Sequence, residues 1–261
     1  MDRIFRIDYH GTARHAIEHD AALHLLEGDL FGRFTIGQEI VGKGVHDEER
    51  RSFRVLAPVV PSKIVAVGLN YRDHAVERAK PLPTEPLIWV KPSSAVIGPG
   101  DPIVIPPGVG RVDHEAELGV VIGKRATRVP REQAHEYVLG LTCANDVTAR
   151  DLQNRGIPYS HCKGYDTFAP IGPCIAVGLD SGNLPIEGWV NDELRQRSNT
   201  RELIFPIDEL VAYISFVMTL LPGDVISTGT PSGIGPLKPG DRVRVKIGGV
   251  GELVNPVTGL D

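Results

Sequence analysis

A chain of 261 residues with 41% apolar and 23% charged residues has ample material for a hydrophobic core, and its composition is neither disordered nor membrane-like. The net charge of −5 offers no basic surface for nucleic acid or anionic lipid, so neither partner is expected. No apolar run approaches the ~20 residues that span a bilayer, the start Met1-Asp2-Arg3 is too charged for a signal peptide, and three cysteines without a CxxC pair fit a reducing compartment, so the cytoplasm is the expected location.

The 29 glycines and 21 prolines imply many turns between short strands, hence a β-rich α+β protein. Residues 1–57 read as a small N-terminal domain. Ile4, Phe5 and Ile7 predict a first strand, Ala13 to Leu26 a short helix, and Phe34 to Gly37 and Phe53 to Leu56 two short strands around a charged turn, Asp47 to Arg51. Pro58 and Pro61 mark the boundary to a larger unit, 58–261. It opens with a buried strand, Lys63 to Gly68. A helix follows over Asn70 to Glu77 with Asn70 as its N-cap, ended by the proline-rich stretch Pro81 to Pro86. Further strands are predicted at Leu87 to Val90, Leu118 to Ile122 and Tyr137 to Ala144. Helical spacing of Leu210, Ile214, Val217, Met218 and Leu221 predicts a helix over Ile207 to Leu221. Two Pro-Gly-Asp sequences, at 222–224 and 239–241, suit type II turns, each leading into a β run.

The sharpest chemical signal is Asp113-His114-Glu115-Ala116-Glu117-Leu118. Side chains alternate along a strand, so Glu115 and Glu117 share a face about 6.5–7 Å apart. At that distance two anions repel by about 2.5 kcal/mol at an effective dielectric of about 20. A hard divalent cation between their heads would relieve this, although two glutamates on a wet strand face give the same spacing. Asp146 ends a predicted strand and is placed either to join such a pocket or to make an Asn-Asp turn. His74 and Glu77, three apart on a helix, share a face, as in a carboxylate-oriented base or an ordinary surface pair. Lys163 offers a point charge for a substrate carboxylate or an enolate, and Gln153 a hydrogen-bonding amide. Thr228 to Gly235 is a glycine-rich turn whose amides and hydroxyls suit a carboxylate; with no Gly-Lys-Ser/Thr it is not a P-loop. There is no Gly-x-Ser-x-Gly elbow, no Gly-x-Gly-x-x-Gly after a strand and no HExxH. Adjacent His161 and Cys162 make a poor dyad.

In order, Gly68-Leu69-Asn70-Tyr71-Arg72-Asp73-His74 with Glu77, Lys91-Pro92-Ser93, Asp113-x-Glu115-x-Glu117-Leu118, Asn145-Asp146 through Gln153, Lys163 to Phe168 with Gly172-Pro173, Pro222-Gly223-Asp224 and Thr228-Gly229-Thr230-Pro231 resemble the fumarylacetoacetate hydrolase family over about residues 63 to 257. The resemblance implies a mixed β-sandwich roll and a homodimer. It implies a Mg²⁺ or Mn²⁺ site at Glu115, Glu117 and Asp146. It also implies a His74–Glu77 dyad on a lid segment, catalytic help from Lys163, and substrate contacts from Gln153, Thr230 and Tyr71. His114 stands where an aromatic is common, but it points away from the glutamates. The implied function is metal-dependent enolate chemistry on a small 2-oxo (di)acid, of the 2-hydroxyhepta-2,4-diene-1,7-dioate isomerase/decarboxylase type in aromatic catabolism. Acylpyruvate (fumarylpyruvate) hydrolase and oxaloacetate decarboxylase are the alternatives, and a non-catalytic metal- or oxo-acid-binding module is the alternative of another class.

Overall fold

The computed structural model describes residues 2–41, 53–77, 79 and 81–260; the predicted turn at Asp47 to Arg51 lies outside them. The chain is β-rich, with three sheets. The largest is a mixed sheet of twelve strands. Its order runs Phe34–Val41, Ala22–Gly28, Thr12–His19, Asp2–Tyr9, Ala169–Val177, Val138–Asn145, Ala116–Ile122, Val225–Ser227, Lys63–Gly68 and Leu87–Pro92, with Arg54–Leu56 and Val96–Ile97 added at the side. The N-terminal strands thus join the rest by pairing Asp2–Tyr9 with Ala169–Val177. A five-stranded sheet holds Glu193–Asn199, Pro185–Val190, Arg242–Ile247, Gly251–Gly259 and Ile103–Ile105, and a three-stranded one holds Thr148–Ala149, Val112–His114 and Gly235–Leu237.

All seven residues of Ala116–Ile122 are buried. On one face Leu118, Val120 and Ile122 share a core with Ile186, Val245, Ile247 and Leu253 of the five-stranded sheet. On the other, Val121 packs with Ile4, Ile64, Ile175 and Val225. A strand covered on both faces reads as a continuous apolar run, which is how this one was found.

The three-stranded sheet positions the site. Three chain segments cross between it and the twelve-stranded sheet. The first passes from Val112–His114 to Ala116–Ile122, the second from Val138–Asn145 to Thr148–Ala149, and the third from Val225–Ser227 to Gly235–Leu237. Glu115 occupies the first crossing, Asp146 the second and Thr230 the third. Asp146 N–H donates to Glu115 O at 2.9 Å, which ties the first two together.

Three expectations are corrected. Ala13 to Leu26 is a hairpin, Thr12–His19 and Ala22–Gly28, rather than a helix. Its two-residue turn puts Asp20 and Ala21 at positive φ (50° and 63°), the geometry of a tight hairpin, without the Asn-Gly or Asp-Gly that announces one. Asn70 is no N-cap. Its fully buried amide donates to Phe205 O (3.1 Å) and Thr228 O (2.7 Å) and accepts from Phe205 N–H (2.7 Å), clamping the segment before the helix Arg72–Glu77. The long helix stops at Val217, because Leu220 leaves to exchange backbone hydrogen bonds with Ala126, both 2.9 Å. Both Pro-Gly-Asp turns are present, with Gly223 and Gly240 at φ +85° and +93°. Among the described residues no helix is long and apolar enough to cross a membrane.

A left-handed alanine costs roughly 1–2 kcal/mol. Ala21→Gly is therefore expected to stabilise the protein by about 0.5 kcal/mol net of the entropy glycine adds to the unfolded chain. A higher urea midpoint at unchanged slope is the expected readout; a lower midpoint contradicts the turn geometry.

Candidate metal centre and its cavity

Glu115, Glu117 and Asp146 are buried, and each offers a carboxylate oxygen within 4.8 Å of the others'. Each carboxylate has its own partners. Glu115 accepts from Lys163 Nζ at 2.8 Å and from the Arg150 guanidinium. Asp146 accepts from Lys163 Nζ at 2.7 Å and from Lys91 Nζ. Among the described residues Glu117 accepts only from neutral groups, Ser227 Oγ (2.6 Å) and Gly229 N–H (2.9 Å). Asp113 completes the cluster, accepting from Arg150 Nε at 2.8 Å and Arg111 Nε at 2.6 Å. Four buried carboxylates (Asp113, Glu115, Glu117, Asp146) thus face three buried cations, Lys91, Arg150 and Lys163.

The protonation energetics show where positive charge is short. For Glu115 the burial penalty is outweighed by Lys163 and Arg150, which hold its carboxyl below the usual range. Glu117 goes the other way: burial, then Asp146 and Glu115, push it up to about 8. Lys163 is raised, because the Asp146 and Glu115 carboxylates overcome the effect of burial. Lys91, on the other oxygen of Asp146, is lowered by burial against the pull of Asp146. A set of three carboxylates with one left uncompensated fits a hard divalent cation, and no soft sulfur or imidazole ligand enters the group.

Beside the carboxylates lies a cavity of about 170 Å³. Glu115, Glu117, Arg150, Lys163, Gln153, Thr230 and His74 line its polar side, and Val67, Leu69, Pro83, Leu87, Trp89 and Tyr159 the rest. His74 is buried; its Nδ1 lies 2.8 Å from Glu77 Oε2, while Glu77 Oε1 accepts from Gly233 N–H at 3.0 Å. An ionised carboxylate can only accept, so His74 Nδ1 donates to Glu77, and in the neutral imidazole this tautomer leaves the lone pair on Nε2. A larger cleft of about 890 Å³ near Arg3, Phe53 and Arg242 contains none of these groups.

The sequence-predicted residues mostly converge. Glu115, Glu117, Asp146, Lys163, His74, Glu77 and Gln153 come together. Thr230 lines the cavity, but its hydroxyl donates to Ala116 O (2.9 Å) and accepts from Gln196 Nε2 (2.8 Å). Tyr71 is fully buried outside the cavity lining, and its hydroxyl has no hydrogen-bond partner among the described residues. His114 turns away from the carboxylates, toward Gln196 Oε1 at 3.1 Å. Sequence reasoning assigned no role to Arg150, Lys91, Asp113 or Trp89. The Trp89 ring lies 5.0 Å from Lys163 Nζ, in cation–π range. Lys91 sits on a strand that reads as ordinary, and no spacing rule pairs Arg150 with residues 35 or more positions earlier.

Residues 63–258 match the family model for the fumarylacetoacetate (FAA) hydrolase C-terminal region, and the chain belongs to that family. The 2-hydroxyhepta-2,4-diene-1,7-dioate isomerase of Mycobacterium marinum superposes with a TM-score of 0.89 at 36% identity, over 99% of both chains. Maleylpyruvate hydrolase of Sphingobium sp. SYK-6, solved with manganese(II) and pyruvate, gives 0.81 at 31% identity, over 99% of this chain and 100% of that one. The mitochondrial oxaloacetate tautomerase fahd2 of Xenopus laevis is 43% identical over 225 residues, 81% of this chain and 70% of that protein. The family therefore includes isomerases, hydrolases and a tautomerase, and this chain carries the enzyme fold they share.

Glu117 gives a pH dependence with a definite sign. Its carboxyl, ordinarily near 4.5, is raised in the folded chain to about 8. Between those values the folded state binds the extra proton. Glu117's contribution is complete below the lower value and is lost as pH rises through the upper one. In EDTA, the melting temperature of the wild type is expected to fall more steeply with rising pH across this window than that of Glu117→Gln. Equal slopes in the two proteins contradict the uncompensated carboxylate.

Proposed function

We propose that this chain is a divalent-metal-dependent enzyme acting on a small 2-oxo (di)acid through its enol or enolate, with isomerase/decarboxylase chemistry of the 2-hydroxyhepta-2,4-diene-1,7-dioate type. The observation that carries this is the convergence of three buried carboxylates, two of which, Glu115 and Glu117, line one small cavity together with a carboxylate-oriented histidine. Glu115, Glu117 and Asp146 would hold Mg²⁺ or Mn²⁺. When bound, such an ion supplies Lewis acidity toward the carboxylate and ketone oxygens of a 2-oxo acid.

The chain's own groups do the rest. Lys163, kept protonated by its carboxylate neighbours, and Arg150 set positive charge beside the position where an enolate oxygen develops. His74 Nε2, oriented through Nδ1 by Glu77, takes the proton from the carbon next to the ketone and returns it there or further along a conjugated chain. The amide of Gln153 and the remaining lone pair of Thr230 are placed to hold polar substrate atoms. Trp89, Leu87, Pro83 and Tyr159 supply apolar lining to the same cavity and would limit water.

The identity to oxaloacetate tautomerase supports a second reading, keto–enol interconversion of a four-carbon 2-oxo diacid. It needs the same base and the same charges, with a proton moved between carbon and oxygen and no carbon–carbon bond broken. Family membership also supports a homodimer, which light scattering tests.

Turnover of oxaloacetate, acetylpyruvate and 2-hydroxyhepta-2,4-diene-1,7-dioate with Mg²⁺, Mn²⁺ or EDTA separates tautomerisation, hydrolysis and isomerisation. Glu115→Ala is expected to abolish both turnover and Mn²⁺ binding by calorimetry. His74→Ala is expected to lower turnover by about 10²–10⁴-fold while leaving Mn²⁺ affinity nearly unchanged. Full activity in excess EDTA would sink the metal-dependent scheme.

A further inference from the structure

The backbone between the two glutamates is held by side chains. Where the chain crosses at Glu115, its N–H donates to Asn145 Oδ1 at 3.0 Å, and the next N–H, of Ala116, donates to Gln196 Oε1 at 2.9 Å. Ala116 O accepts from Thr230 Oγ1 at 2.9 Å. Ala116 is thus gripped at both polar ends, by Gln196 and Thr230, and these two are bonded to each other at 2.8 Å.

Gln196 comes from the strand Glu193–Asn199 of the five-stranded sheet and is fully buried. Its oxygen accepts from Ala116 N–H and from His114 Nδ1 (3.1 Å), and its nitrogen donates to Thr230 Oγ1 and to Pro231 O (2.8 Å). Two acceptor sites and two donor hydrogens are the amide's full capacity. A flipped amide would set its NH₂ against the Ala116 N–H, so the orientation is fixed by the network. Gly188 makes room for the approach: a Cβ there would lie 2.7 Å from Gln196 Oε1 and 3.1 Å from Ala116 Cβ.

We propose that Gln196 is a positioning residue for the carboxylate centre: through Ala116 and Thr230 it holds the backbone between Glu115 and Glu117 so that both carboxylates converge on Asp146. This rests on the reading of those three carboxylates as metal ligands. Gln196 touches neither the carboxylates nor the cavity. It acts by carrying the rigidity of the second sheet to the crossing where Glu115 sits. Removing such an outer partner typically weakens metal binding by about 10–100-fold.

The test is a calorimetric titration of Mn²⁺ into wild type, Gln196→Met, Thr230→Val, the double variant and the site control Glu117→Gln. Each is run well below its own melting temperature, recorded in parallel. Gln196→Met is expected to raise the Mn²⁺ Kd about 10–100-fold, and Thr230→Val to raise it several-fold. The double variant is expected to show less than the product of the two, because the residues share one network. A merely structural role lowers the melting temperature and leaves Kd alone. Should Gln196→Met not fold, Thr230→Val and its Kd carry the test. A folded variant of either position with Kd within about twofold of wild type overturns the proposal. Wild type that binds no Mn²⁺, or binds it no better than Glu117→Gln, overturns the metal reading instead.

Discussion

Glu117 is a buried carboxylate with no cation of its own, set beside two carboxylates that have theirs. Lys163 bridges Glu115 and Asp146, Arg150 adds to Glu115, and Lys91 adds to Asp146. The remaining negative charge falls on Glu117, whose hydrogen-bond donors among the described residues are a hydroxyl and an amide. Burying such a group is costly unless it takes a proton or a partner. A divalent ion at the meeting point of the three carboxylates would remove that cost.

The architecture explains how such an arrangement is reached. Glu115, Asp146 and Thr230 lie on three separate crossings between the twelve-stranded and three-stranded sheets. At a crossing the ladder is interrupted, so backbone groups need side-chain partners, and polar residues gather there for that reason. Asn145, Gln196 and Thr230 meet this need while the acidic side chains turn to the cavity. The His74–Glu77 helix is fixed from two sides, by the Asn70 clamp at its start and by the Gly233 amide on Glu77.

Much of the site was legible in the sequence because it depends on local periodicity. The two-residue spacing of Glu115 and Glu117 predicted one shared strand face; the structure instead sets Glu115 at the break between two strands and Glu117 on the second, and the two still converge. The three-residue spacing of His74 and Glu77 gives a shared face on any helix. Asp146 needed the family resemblance, since an isolated Asp after Asn reads equally as a turn. Lys91 and Arg150 were missed because their partners lie far off in sequence, at separations of 55 and 35 residues. Among the elements, apolar runs such as Lys63 to Gly68 and Leu118 to Ile122 were clear, since burial on both faces leaves little else in them; the second strand begins two residues earlier, at Ala116. The hairpin over Thr12–Gly28 was hidden, because its turn is made by Asp20-Ala21, a pair without a turn signature, and its partly alternating apolar residues also suit a helix. Asn70 had the composition of a cap, but long-range hydrogen bonds decided its place.

The most direct test is a crystal of the protein grown with Mn²⁺ and measured at an anomalous wavelength. A single strong peak at coordination distance from carboxylate oxygens of Glu115, Glu117 and Asp146 together is the result expected. Carboxylates that keep their lysine and arginine partners with no peak among them, or a peak held elsewhere in the chain, would contradict it.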